Sequence, residues 1–132
     1  MKYLLDTDIC IFLIRGKSDQ LVKKVTSMSI DDLALSSITY SELEYGVAKS
    51  SNPEKNSMAL QEFVIPFQIL PWDSSCAQFY GHIRAYLEKK GRTIGVLDEM
   101  IASHALSTQL TLVSNNQKHF SRIPDLKLQN WI

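Results

Sequence analysis

Glycine and proline are scarce, at 5 and 4 residues in a chain of 132, and no low-complexity stretch occurs. That excludes a collagen-like repeat and a disordered linker protein. There are only two cysteines, Cys10 and Cys76, at no zinc-ligand or C-x-x-C spacing, so a disulfide scaffold and a cysteine metal site are both excluded. Two reduced thiols of a cytoplasmic protein are expected instead. No apolar run approaches membrane length. The longest is Ile9 to Ile14, and Asp6 and Asp8 interrupt the apolar N-terminus, so neither a membrane span nor an export signal is expected. Neither a G-x-S-x-G elbow nor a G-x-x-x-x-G-K-[ST] phosphate loop is present. Charge is balanced at 14 basic and 14 acidic residues, which taken alone argues against a nucleic-acid surface.

What is present is a hydrophobic content of 45%, ample for one buried core. A chain of this size buries roughly two-thirds of its unfolded surface, so residues 1–132 are expected to form a single domain with no stapling metal. Lys2 to Asp6 reads as a buried strand that stops at a carboxylate, followed by a helix over Ile9–Arg15 capped by Thr7 or Asp8 and closed by Gly16. Further helices are expected from Asp19 to about Met28, with Leu21, Val22 and Val25 inward, and from Ser37 or Thr39 to about Lys49. Others run from Pro53 to about Phe67, from Asp73 or Ser74 to Lys90, and from Leu97 to Gln109. In the Asp73 helix, Cys76, Phe79, Tyr80, Ile83, Tyr86 and Leu87 follow the spacing of a core face. Strands are expected at Leu33–Ser36, Gln68–Pro71, Thr111–Ser114 and Leu126–Ile132. Alternating strands and helices imply an α/β fold with a mainly parallel central sheet covered on both faces.

In such sheets ligands bind beyond the carboxyl ends of the strands. Asp6, Ser36-Ser37 leading to Glu42, and Ser114-Asn115-Asn116 all stand at such ends, and Asp98 lies in the first turn of its helix. Each has an ordinary reading: a cap for Asp6, a solvated position for Glu42, a dipole partner for Asp98, a turn for the asparagines. Taken together they suggest one pocket. Carboxylates gathered there repel one another unless a cation intervenes, and Mg²⁺ suits one to three of them plus water. Such a centre can activate water and stabilise a phosphodiester in transit. It needs no histidine, and His82, His104 and His119 read as bystanders without partners at ligand spacing.

Four segments then resemble the PIN-domain ribonucleases, and among them the VapC toxins of bacterial VapBC toxin–antitoxin pairs. They are Leu4-Leu5-Asp6-Thr7-Asp8, Ser41-Glu42-Leu43-Glu44-Tyr45-Gly46, Leu97-Asp98-Glu99-Met100-Ile101-Ala102-Ser103-His104-Ala105, and Leu112-Val113-Ser114-Asn115-Asn116 with Phe120. The resemblance spans essentially the whole chain, in order. It implies a three-layer α/β/α PIN-like fold and a Mg²⁺-dependent endoribonuclease, with Mn²⁺ as an alternative ion. It also implies that Asp6, Glu42 and Asp98 form the metal site, that Asn116 contributes hydrogen bonds, and that Thr7 bonds within the pocket. The implied partners are RNA, with initiator tRNA cut in the anticodon stem-loop as the leading substrate, a second copy of the chain, and a VapB-type antitoxin. No membrane partner is implied. The antitoxin would use an apolar groove drawn from Ile9–Ile14 and the Val47, Met58 and Leu60 region.

One residue departs from the family. Asp8 stands where Asp-Thr-Asn is usual, either capping the first helix as Asn would or adding charge to the pocket; capping is the expectation. Glu99, about 100° round the helix from Asp98, is expected outside the site. Setting aside Asp6, Asp8, Glu42 and Asp98 leaves 10 acidic residues against 14 basic, a surplus suited to RNA. Lys89-Lys90-Gly91-Arg92 is the best-placed basic run. Two alternatives differ in class. A phosphatase of the haloacid-dehalogenase type would use Asp6 as nucleophile and Asp8 as acid, although Cys10 departs from its motif. A PIN-like module would bind RNA or a partner without cutting.

Overall fold

A computed structural model describes residues 1–132. Its five strands are β1 (Tyr3–Leu5), β2 (Leu33–Ser36), β3 (Gln68–Leu70), β4 (Thr111–Val113) and β5 (Leu128–Gln129). All neighbours pair in parallel, in the order β3-β2-β1-β4-β5. The helices are α1 (Thr7–Arg15), α2 (Asp19–Thr26), α3 (Ser37–Ala48), α4 (Pro53–Val64), α5 (Ser74–Lys89), α6 (Val96–Thr108) and the short α7 (Gln117–Phe120), with a 3₁₀ turn at Ile30–Asp32.

Successive strand residues face opposite ways, and this alternation builds two cores. Leu4, Ala34 and Leu112 pack with Ile83, Leu87, Ile101, Ala102, Ala105 and Phe120 from α5, α6 and α7. Leu5, Leu35 and Val113 pack with Ile9, Cys10, Leu21, Leu43 and Leu60 from α1 to α4. Strands buried on both faces explain why β1, β2 and β4 read as unbroken apolar runs. The result is the expected three-layer α/β/α arrangement. Both cysteines are free and buried.

Several expectations need correcting. Asp6, not Thr7 or Asp8, is the N-cap of α1, its carboxylate accepting the Thr7 N–H. Val22 is exposed, as are Phe79 and Tyr86 of α5, because an aromatic spacing spread over six positions is wider than the strip α6 and the sheet can cover. Of the anticipated groove residues, Ile9 is fully buried in the core and Met58 does not line the groove, whereas Ile11, Ile14, Val47 and Leu60 do. The final strand shortens to Leu128–Gln129, since only that segment lies beside β4. Helix α7 was not anticipated; four residues are too few for periodicity to register.

Candidate active site

The chain reverses its direction of travel across the sheet at β1, with β2 on one side and β4 on the other. That switch point opens a crevice beyond the strand ends. The register pairs Leu5 with Val113 and with Leu35, so the next residues, Asp6, Ser114 and Ser36, stand side by side. The Asp6 N–H donates to the Val113 carbonyl at 2.9 Å. The Ser114 hydroxyl donates to Asp6 Oδ2 at 2.7 Å, while Oδ1 accepts from Thr7 N at 2.8 Å. Asp6 is thus a buried carboxylate clamped from both sides.

Asp8 turns toward the same place. Its Oδ1 accepts from Ile9 N at 2.7 Å and its Oδ2 from Asn115 N at 3.1 Å, bridging the start of α1 to the turn after β4. It therefore does what a capping residue does for one N–H, yet also brings its charge beside Asp6. The phosphatase alternative needs Asp8 to give up a proton, whereas both its oxygens accept from backbone amides.

Asp98 is delivered by α6. Gly95 enters that helix at φ 103, a backbone region that side chains resist, and this sharp entry sets Asp98 in the first turn over the crevice. Its Oδ2 accepts from Asn116 Nδ2 at 3.3 Å and lies 3.5 Å from His119 Nδ1. Asn116 is held in turn by its own N–H, which donates to Ser114 Oγ at 2.9 Å. Ser114 therefore links two carboxylates through a single hydroxyl. Glu42, half-buried on α3, is reached from the other direction: Thr7 Oγ1 donates to its Oε1 at 2.7 Å and lies 3.4 Å from Thr39 Oγ1.

The electrostatics follow from this crowding. Burial, then the charge of Asp8, pushes Asp6 up to about 8, against the hydrogen bonds from Ser114 and Thr7, with Asp98 adding to the rise. Burial also raises Asp8 and Asp98, the latter despite the neighbouring His119 and the hydrogen bond from Asn116. No lysine or arginine pairs with any of the three. Three carboxylates short of positive charge, offering oxygen donors alone, are the chemistry that a hard divalent cation satisfies. The side chains as they stand do not enclose such an ion: no three acidic, imidazole or thiol groups are drawn together tightly enough. Asp6, Asp8 and Asp98 are close enough to feel one another's charge, and Glu42 is joined to them through Thr7.

The structure thus brings Asp6, Asp98 and Asn116 to one crevice and sets Glu42 at its edge, bonded to Thr7. Asp8 combines the two roles weighed for it, holding a helix N–H and adding its charge to the pocket, whereas sequence reading missed the clamp made by Ser114, and His119, which is no bystander. His119 lies three residues after Asn116, the spacing that puts two side chains on one helical face, and that signal was available. The other histidines match the expectation, His104 being buried against Ser36 Oγ at 2.8 Å and His82 exposed. Glu99 lies outside the pocket, buried and with Oε2 unpartnered. No helix is long and apolar enough to cross a membrane.

Beside the acids runs an apolar groove of about 700 Å³ between α1, α3 and α4. Ile11, Ile14, Tyr45, Val47, Ala59 and Leu97 line it, and Thr7 and Glu42 lie at its border with the crevice.

Comparison with known proteins matches the PIN domain family over residues 3–126. The chain is 42% identical over 132 residues to Ribonuclease VapC2 of Rickettsia felis, covering 99% of this chain and 98% of that protein. It is 38% identical over 131 residues to the tRNA(fMet)-specific endonuclease VapC of Salmonella typhimurium, covering 99% and 98%. Among solved structures, VapBC2 of Rickettsia felis bound to a DNA fragment from its promoter superposes with a TM-score of 0.93 at 40% identity, over 100% of both chains.

Proposed function

The chain belongs to the PIN domain family, among the VapC ribonucleases, and from that membership we propose that it is a toxin endoribonuclease that cuts RNA at the crevice of Asp6, Asp98 and Glu42. The observation that carries this reading is the crowding of Asp6, Asp8 and Asp98 around the β1–β4 switch point with no lysine or arginine to balance them.

Asp6 and Asp98 would hold the cation, Mg²⁺ or Mn²⁺, with Glu42 completing the set. When bound, the ion supplies positive charge opposite the phosphate and acidifies water there. The chain's own groups do the rest. Ser114 and Thr7 keep Asp6 in one orientation. Thr7 holds Glu42 through Oε1, which leaves Oε2 to orient the attacking water and receive its proton. Asn116 keeps Asp98 aimed into the crevice. Water oxygen bonds to phosphorus, the bond to the 3′-oxygen breaks, that oxygen takes up a proton from solvent, and the products are a 5′-phosphate and a 3′-hydroxyl.

The substrate we favour is initiator tRNA cut in the anticodon stem-loop, which would halt translation; the Salmonella relative is named for tRNA(fMet). The partner is a VapB-type antitoxin, with its helix in the groove of Ile11, Ile14, Tyr45 and Val47 and a basic side chain reaching past Thr7 toward the acids. The toxin would act as a homodimer in the cytoplasm.

The test is to incubate the chain with total RNA in Mg²⁺, with and without EDTA, and map the ends. Cleavage with 5′-phosphate ends that EDTA and Asp6→Asn both abolish is the expected result. Undiminished cutting by Asp6→Asn would remove the assignment, and RNA binding without cutting by the wild-type chain would favour the non-cleaving module.

A further inference from the structure

An acidic crevice that must receive an RNA phosphate needs hydrogen-bond donors at its rim, because the acids themselves repel the chain until a cation is in place. Around Asp98 the donors form an ordered series. Asn116 Nδ2 lies 3.3 Å from Asp98 Oδ2 and 3.0 Å from His119 Nδ1. The carboxylate fixes which way the amide faces, since the opposite orientation would set two oxygens against each other. The amide nitrogen therefore has one hydrogen for Asp98 and one for His119. His119 Nδ1 is then an acceptor, and its 3.5 Å approach to Asp98 is the third side of a triangle closed by Asn116. With Nδ1 accepting, the ring proton sits on Nε2.

That Nε2–H has no protein partner; the contacts of the ring to protein all run through Nδ1. The side chain is 38% exposed, so Nε2 is within reach of a ligand. Both hydrogens of Asn116 are engaged, which makes His119 the next free donor outward from Asp98. Resting on the nuclease reading above, we propose that His119 is a substrate-positioning residue whose Nε2–H donates to a phosphate oxygen of the RNA beside the bond that is cut. The relay from Asp98 through Asn116 to the imidazole orients that donor, so the residue that steadies the acid also steadies the substrate against it.

Two amides that each copy one half of an imidazole test this. Gln at 119 places a donor near Nε2; Asn places an acceptor near Nδ1 but nothing at the rim. Steady-state cleavage of bulk tRNA is compared for wild type, His119→Ala, His119→Asn and His119→Gln. Binding of fluorescently labelled bulk tRNA is measured for the same substitutions in an Asp6→Asn background, and Mn²⁺ affinity by calorimetry. Loss of a hydrogen bond to a charged acceptor predicts a roughly 10- to 100-fold rise in KM and in Kd for Ala and Asn. Gln should stay within about threefold of wild type, and Mn²⁺ affinity should be unchanged in all. Rescue by Asn and not by Gln, a loss of Mn²⁺ affinity in Ala, or wild-type KM in all three variants would each overturn the proposal. If the wild-type chain cuts no RNA yet the Gln/Asn split persists in binding, the nuclease reading fails and the positioning role stands.

Discussion

Thr7 Oγ1 lies 2.7 Å from Glu42 Oε1, tying the first residue of α1 to the middle of α3 across 35 positions of sequence. The bond brings Glu42 to the edge of the Asp6 crevice from α3, which packs beside α1 on the same face of the sheet. Replacing the hydroxyl with a methyl keeps the shape and removes the tether. Thr7→Val should lower kcat/KM for RNA by roughly 10- to 100-fold, the range for losing a hydrogen bond to a charged group, while Thr7→Ser retains most activity. Equal activity in Thr7→Val and wild type would mean that Glu42 needs no tether.

Asp6 predicts a competition between protons and metal. With its carboxyl raised from 3.8 to about 8, first by burial and then by Asp8, the folded protein holds this proton far more tightly than the unfolded chain. The metal-free fold should therefore be most stable below about pH 4 as far as Asp6 is concerned, and lose that contribution as pH rises toward 8. Thermal melts in EDTA should show this fall, and Asp6→Asn should flatten it. Cleavage should rise over the same window, with its midpoint moving to lower pH as Mg²⁺ is increased. A midpoint indifferent to Mg²⁺ would contradict the competition.

Ser114 tunes the same titration. Its hydroxyl donates to Asp6, which opposes the rise of that pKa, and its oxygen accepts from Asn116 N. Ser114→Ala should move the pH–rate midpoint to higher pH and reduce the rate at pH 7, because the hydrogen bond that holds the Asp6 pKa down is lost. An unmoved profile would show that the hydroxyl is structural only.

Glu99 is a stability liability outside the pocket. It is buried, its Oε2 has no partner, and burial raises its pKa in spite of Arg84. Removing the charge should help: Glu99→Gln or Glu99→Met is expected to stabilise by about 1 kcal/mol near neutral pH, read as a higher Tm. The gain should shrink as pH falls and Glu99 takes up its proton. Cleavage should be unaffected, since its side chain touches none of the crevice acids.

The groove beside the acids predicts a separation of functions. Ile14→Glu places a charge among Ile11, Tyr45 and Val47 and should weaken antitoxin binding at least 100-fold by calorimetry, while RNA cleavage by the free toxin stays within about twofold. Unchanged antitoxin affinity would place the partner elsewhere.

The sequence alone was enough for the layered fold, because strands buried on both faces must be continuously apolar and helices between them must each carry one apolar stripe. Asp6, Glu42, Asp98 and Asn116 were legible for a related reason: the ends of β1 and β4, the helix that follows β2 and the start of α6 are where a parallel sheet exposes polar groups. The roles of Asp8 and Ser114 were not, since they depend on register and on which oxygen faces which donor, and His119 left only its spacing from Asn116 as a signal. The pairing of Leu5 with Val113 sets Ser114 against Asp6, and a shift of one residue would turn that hydroxyl to the opposite face. Local patterning records which side chains are polar at a strand end. Only the packing of β1 against β4, with α6 and α7 brought over them, decided that three carboxylates share too little positive charge and that an imidazole stands at their rim.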